Sequence, residues 1–187
     1  MRQGCASFTV VFNNIETPRL TLRPLREQDR SAMVDLHTDA RTTRFESDPP
    51  SAARVGAEFD SWLAHWMEHG FGYCAVTTRP GSYLIGLTGI RVYDFHGEQV
   101  LNLGYRFRPE VWGSGYAAEA AHAVVNFRDR ELPWMPVVAS VNVTNESSIR
   151  VAERIGFTEY TEDSRAGVRT RHYWLEATEP AAPGRVN

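Results

Sequence analysis

A chain of 187 residues that is 42% hydrophobic and 23% charged carries enough apolar material for a core, which argues against general disorder. Its formal charge of -3, with acids interspersed among the Lys and Arg and no basic tail, argues against a large nucleic-acid footprint. Cys5 and Cys74 belong to no CxxC pair, so a disulfide framework or cysteine zinc site is not expected and a reducing cytoplasm is the expected compartment; no apolar run is long enough for a membrane span.

The opening MRQGCASFTVVFNN has no proper apolar h-region and no cleavage site, so residues 1–16 read as an irregular lead-in and not a signal peptide. From Arg19 to Leu25 apolar and polar residues alternate, a strand signal ended by Pro24. REQDRSAMVDLHTD suits a short amphipathic helix. Ser51 caps a second helix over Ala52–Gly70, where Val55, Phe59, Trp62, Leu63 and Trp66 recur at helical spacing. Tyr73–Thr78, Leu84–Tyr93 and Val100–Phe107 read as three strands of an antiparallel meander, the last two joined by a turn through DFHGEQ. A helix from Tyr116 to about Arg130, a strand at Val137–Val141, a short helix in NESSIRVAERIGF and a closing hairpin at Thr158–Thr161 and Val168–Leu175 complete the order. The strand–helix–strand unit from Leu101 to Val141 requires a right-handed crossover and two parallel strands, hence a mixed α/β sheet. Residues 17–176 form the expected domain, and the Pro-, Ala- and Gly-rich 177–187 a loose tail.

Two segments carry chemistry. In VWGSGYAAEAA, Val111 to Ala121, glycines lie between a strand and a helix. The first amides of a helix lack internal partners and sit at its positive end, so a glycine turn there can receive phosphate oxygens without a Cβ in the way. The same glycines would also serve a plain tight turn. No GK[ST] follows, and Ala118 stands where a dinucleotide fingerprint most often has glycine. In NESSIRVAERIGF, Asn145 is a helix cap and Ser148 lies in the first turn, at the end of a strand, where open sheets bind ligands.

In this order, with TPRLTLRPLREQD, LGYRFRPEVWGSGYAAEAA and NVTNESSIRVAERIGF, the chain resembles the GCN5-related N-acetyltransferases (GNAT), and within them the ribosomal-protein alanine acetyltransferase (RimJ/RimL-like) subgroup, over roughly Thr17 to Leu175. The resemblance implies a GNAT-like, largely antiparallel sheet with helices on both faces. Its strands Val100–Phe107 and Val137–Val141 splay apart to admit acetyl-CoA as co-substrate, without a metal. It implies that Leu103, Gly104 and Tyr105 border the acetyl-pantetheine arm, with a backbone N–H near Leu103 or Gly104 polarising the thioester. Trp112, Gly113, Ser114, Gly115, Tyr116 and Ala117 would hold the pyrophosphate, and Asn145 and Ser148 would contact the cofactor. Trp112 stands at the first position of the family's R/Q-x-x-G-x-G/A, and Gly115 and Ala117 at the fourth and sixth. Ser148 is the candidate to protonate the leaving thiolate, or serves only the helix start.

The general base is not assigned. Asn102 stands where relatives often carry Glu and cannot take a proton; Glu46, Asp48, His96 and Glu98, on expected loops, and a water chain are the substitutes. Tyr105 alternates onto the core face. The resemblance implies a small-molecule or peptide amine as acceptor, bordered by the loop around His96 and by the segment Asp39 to Gly70 with Arg41, Arg44, Glu46, Asp48, Trp62 and Trp66, and it allows a homodimer. Two alternatives stand beside transfer. One is a non-catalytic acyl-CoA sensor, left open by Asn102. The other is a zinc peptidase through His65-Glu68-His69, which matches H-x-x-E-H.

Overall fold

The computed structural model describes residues 12–178 except Ser82 and Ala166. Residues 1–11, with Cys5, and the tail from 179 lie outside the described residues.

Strict alternation builds the first long strand. Leu20 and Leu22 are fully buried while Thr21 and Arg23 are not, which sets β2 (Leu20–Pro24) with one face in the core. A two-residue strand, β1 (Ile15–Glu16), pairs antiparallel with β2 inside the segment read as lead-in; it is too short to leave a periodic signal. The first helix, α1 (Arg30–Thr38), follows a short 3-10 turn. The second, α2 (Ala52–His69), starts on the Ser51 hydroxyl, which accepts from the Arg54 amide, and ends on left-handed Gly70. Val55, Phe59 and Trp62 on its inner face are buried, each stabilising the fold by roughly 1.5–3 kcal/mol.

Three strands then form the meander: β3 (Tyr73–Thr78), β4 (Leu84–Phe95) and β5 (Glu98–Phe107). The turn read as DFHGEQ shrinks to His96 and Gly97, both at positive φ (55° and 90°), a two-residue hairpin that lets the strands pair out to Phe95↔Glu98. The chain continues through α3 (Tyr116–Glu131), β6 (Val137–Asn142), α4 (Glu146–Arg154), β7 (Glu159–Arg165) and β8 (Val168–Leu175). The polar β7 is longer than its sequence suggests because β8 pairs with it throughout.

The strands form one sheet in the order β1-β2-β3-β4-β5-β6-β8-β7, antiparallel everywhere except between β5 and β6. The chain is thus a mixed α/β fold with helices on both faces. One core, with Leu101, Leu103, Val124, Phe127 and Ala139, lies where α3 meets the sheet; the other, with Met33, Leu36, Phe59, Trp62, Tyr73 and Leu87, lies under α1 and α2. Cys74 is buried in the first and, among the described residues, is a free thiol.

Candidate active site

The site begins where the sheet fails. The parallel strands β5 and β6 register only at Leu101↔Val137 and Asn102↔Val138; beyond these pairs they part. The Leu101 N–H reaches the Pro136 carbonyl on the β6 side at 2.8 Å. Side-to-side alternation of backbone groups therefore aims the Leu103 and Tyr105 amides toward β6, while the Gly104 amide faces β4. Gly104 is thus not a donor to the gap. Its lack of a side chain serves packing, since a Cβ there would stand 2.9 Å from the Tyr73 hydroxyl. Leu103 is itself buried in the core.

At the wide end of the gap lies a cavity of about 460 Å³, lined by Tyr105, Trp112, Gly113, Gly115, Tyr116, Ala117, Asn145 and Ser148 among others. Gly113 and Gly115 both have φ near +78°, a conformation that an L side chain adopts only with strain. A Cβ on Gly113 would meet nothing within 4 Å, so that glycine leaves open space. Two of the expected amides are already committed: Trp112 N–H to the Pro109 carbonyl at 3.2 Å and Ser114 N–H to that of Val111 at 3.4 Å. Among the described residues the amides of Gly113, Gly115, Tyr116 and Ala117 have no such partner, so the anion-receiving set is narrower than the sequence implies. Ser114 does not line this cavity, and its carbonyl is held by Arg19 at 2.9 Å.

Among the described residues, five arginines (Arg41, Arg44, Arg106, Arg150 and Arg154) and no acidic side chain line the cavity. Sequence reasoning sets Arg41 and Arg44 beside the acceptor and does not find the other three: Arg106 is on β5, and Arg150 and Arg154, one turn apart on α4, read in the sequence as an ordinary exposed helix face. Arg41 is tied to Asp39 and Glu110, Arg106 to Glu46 and Arg150 to Glu146. Arg44 has no carboxylate partner among the described residues and lies over the rings of Phe45 and Trp112, at 4.7 and 5.1 Å. Trp112 is anchored by its own indole N–H on the Phe107 carbonyl at 2.9 Å.

Across the gap, Asn145 caps α4 by accepting from the Ser148 amide at 3.1 Å. The Ser148 carbonyl accepts from the Tyr105 hydroxyl at 2.8 Å, a bond that spans the split. Tyr105 is therefore both packing and cavity wall, and burial pushes its phenol above the ordinary range. The Ser148 hydroxyl makes no hydrogen bond among the described residues and belongs to the cavity wall.

The groups weighed as bases do not converge. Asn102 donates to the Tyr73 hydroxyl at 2.8 Å. Glu46 is paired with Arg106, and Asp48 with Arg54 at 2.9 Å. His96 packs on Phe95 at the hairpin turn, and Glu98, expected in a loop, opens β5. Trp62, expected near the acceptor, is in the core.

His65 cannot serve a metal as placed. Its Nδ1 bonds the Phe71 carbonyl at 2.9 Å and its Nε2 accepts from the Val92 amide at 3.0 Å, which fixes the tautomer and uses both nitrogens. Burial and the neighbouring His69 lower its pKa to about 4.

Sheet and cavity together define an acyl-CoA-dependent acetyltransferase, and the comparisons agree. The description "Acetyltransferase (GNAT) domain" matches residues 19–158. The uncharacterized protein YkkB of Bacillus subtilis (strain 168) is 30% identical over 143 residues, 75% of this chain and 82% of that one. The crystal structure of the acetyltransferase from Agrobacterium tumefaciens str. C58 shares 28% identity and a TM-score of 0.75, covering 94% of this chain and 99% of that chain. Spermidine N-acetyltransferase from Vibrio cholerae, solved with CoA and spermine, shares the fold at 17% identity and a TM-score of 0.66, over 86% of this chain and 97% of that one. The chain belongs to the GNAT acetyltransferase family.

Proposed function

We propose that the protein transfers the acetyl group of acetyl-CoA directly to a primary amine, either a protein N-terminus or a small-molecule amine, within one ternary complex. The single observation that carries this reading is the coincidence, at one cavity, of uncommitted amides at Gly113, Gly115, Tyr116 and Ala117 with a parted pair of parallel strands. The amides receive the pyrophosphate. Arg44 and Arg154 are cavity arginines without a carboxylate partner among the described residues, and they suit the remaining phosphate charge. Arg44, resting on Trp112, supplies the cation that the family motif usually places at that position.

The pantetheine arm enters between β5 and β6, where the Tyr105 amide lies past the last paired residues and polarises the thioester carbonyl. Amine nitrogen bonds to the acetyl carbon, the carbon–sulfur bond breaks, and the free Ser148 hydroxyl donates a proton to the thiolate and recovers the one that the nitrogen sheds. Holding both reactants in one gap lowers the barrier by proximity. The segment TPRLTLRPLREQD supports placement near the ribosomal-protein alanine acetyltransferases, and spermine in the Vibrio cholerae relative supports testing polyamines.

The test couples calorimetry with CoA to an assay of thiol release from acetyl-CoA across N-terminal peptides, polyamines and aminoglycosides. Heat with CoA and thiol release with at least one amine class is the expected result. Heat without release across the whole panel would favour a sensor, and no heat would remove the cofactor reading.

A further inference from the structure

Beyond the gap lies a second constellation that the site as described leaves unused. Ser140 is exposed on β6, two residues past the last pair between β5 and β6. Its neighbours Ala139 and Val141 point into the core beneath α3, so Ser140 projects from the opposite face. On that face its register partner in β8 is His172, and its Oγ lies 2.9 Å from His172 Nδ1. The other ring nitrogen, Nε2, is buried, stands 3.1 Å from Oδ1 of Asp163 on β7 and makes no hydrogen bond among the described residues. Three strands thus place a hydroxyl, an imidazole and a carboxylate in line.

The carboxylate decides the tautomer. A lone pair on Nε2 facing the Asp163 oxygen is repulsive and an N–H is attractive, so the neutral ring carries its proton on Nε2. Nδ1 then holds the lone pair and accepts from the Ser140 hydroxyl. Among the described residues Asp163 is the charged group facing the ring; from β6 it meets the neutral Ser140, and from β4 the Phe95 ring, at a centroid distance of 5.0 Å. Arg171 and Glu162 pair with each other on the neighbouring strand positions.

Position gives the relay its use. Asn142, the next residue of β6 on the same face, donates to the Phe45 carbonyl at 2.9 Å, tying the 39–51 segment across this side of the gap. Ser140 lies between that tie and the point where the strands divide.

We propose that Ser140 is the catalytic contact that accepts the proton of the incoming amine, with His172 behind it as proton holder and Asp163 as the residue that positions and stabilises the imidazolium. This rests on the acetyl-transfer reading above and fills the place that Asn102 cannot. The incoming ammonium first gives a proton to Ser140 Oγ while the Ser140 proton passes to His172 Nδ1; the neutral nitrogen then bonds to the acetyl carbon, the thiolate leaves with a proton from Ser148, and Ser148 recovers the second proton that the nitrogen sheds. His172, now cationic against Asp163, releases its proton to solvent between turnovers. No further reactant is required.

The experiment measures thiol release from acetyl-CoA with spermidine, an alanine-initiated hexapeptide and kanamycin for the wild type, S140A, H172Q and D163N between pH 5.5 and 9.5. Calorimetry with CoA runs on every variant as the check of fold and cofactor binding. Expected is a fall in kcat of roughly 100-fold for S140A and H172Q at pH 7, with KM for acetyl-CoA unchanged and the deficit closing at high pH, where the amine arrives neutral. D163N shows a smaller loss with the same pH shape. Rates within twofold of the wild type for S140A and H172Q, or a deficit independent of pH, would overturn the relay. So would a wild type that binds CoA yet releases no thiol with any of the three amines. Absence of CoA binding by the wild type would overturn the acetyl-transfer reading and the relay with it.

Discussion

Arg19 and Glu119, separated by 100 residues in sequence, hold each other at 2.6 Å across the entry to the glycine turn. Glu119 also accepts from the Arg19 amide at 3.1 Å and from the Thr17 hydroxyl at 2.5 Å. Arg19 in turn donates to the Ser114 carbonyl at 2.9 Å and lies 4.5 Å over the Tyr116 ring. The edge of the sheet is thereby fastened to the loop that presents the uncommitted amides. The acid in the first turn of α3 stabilises more than a helix terminus: it sets where the turn sits.

Replacing Glu119 with Gln should loosen that fastening. Burial pushes the Glu119 carboxyl up, but hydrogen bonds from Thr17 and Arg19 outweigh it and hold it below the usual range. A depressed acid adds stability above its unfolded pKa and loses it as pH falls through the folded one. We expect E119Q to lose about 1 kcal/mol at neutral pH, a modest figure because Arg19 is half exposed. Urea unfolding at pH 7 and pH 3.5 checks this: the difference from wild type should shrink at the lower pH. CoA affinity should fall as well, read by calorimetry.

Alanine at Gly113 or Gly115 tests the turn itself. Each residue has φ near +78°, so the variants should lose roughly 1–2 kcal/mol from backbone strain alone. At Gly113 the added methyl meets no protein atom within 4 Å, so a loss of CoA affinity beyond that explained by unfolding reports a clash with the ligand. We expect more than a tenfold loss for G113A with circular dichroism unchanged. Full CoA affinity in G113A would put the pyrophosphate elsewhere.

Arg44 and Trp112 make a separable pair. If Arg44 supplies the phosphate cation from its seat on the indole, R44A should weaken CoA binding about tenfold and flatten its salt dependence. W112R, which restores the family residue at the first motif position, should recover part of that loss in the R44A background. Calorimetry at low and high salt checks both. No effect of R44A at low salt would leave Arg44 as surface charge.

Ser148 has a hydroxyl with no partner among the described residues and faces the cavity, whereas its backbone amide and carbonyl are both committed. S148A should therefore keep helix α4 and CoA affinity while lowering kcat by roughly 10–100-fold. A variant as active as wild type would return Ser148 to a structural part in the helix start.

Much of this was legible in the sequence because the informative residues were local. Ser51 and Gly70 bracket α2 as their chemistry dictates, and Asn145 caps α4. The crossover between β5 and β6 followed from a strand, a helix and a strand in succession. What the sequence hid was long-range: Ser140, His172 and Asp163 are joined only by strand register, and Arg19 and Glu119 by the packing of α3 against the sheet edge. The amides of Trp112 and Ser114 looked available because nothing in the local pattern shows that the 3-10 turn over Pro109–Val111 consumes them. His65 matched a zinc pattern, yet the loop after α2 and strand β4 take up both its nitrogens.

Those nitrogens lead to a prediction on acid stability. His37 is buried beside Arg106 and His65 is buried beside His69, and both pKa values are lowered to about 4, chiefly because burial penalises the charged ring. In the unfolded chain both titrate near 6.5. Between those values the unfolded state binds more protons, so stability must fall as pH falls, by up to about 1.4 kcal/mol per pH unit for each ring. Above pH 6.5 the two residues contribute no slope, and below about 4 their effect levels off. Urea midpoints measured from pH 7.5 to 4 should decline across this window in the wild type and more gently in H37Q/H65Q, whose glutamines do not titrate. Parallel curves for the two proteins would mean that burial does not hold the two imidazoles neutral below pH 6.5.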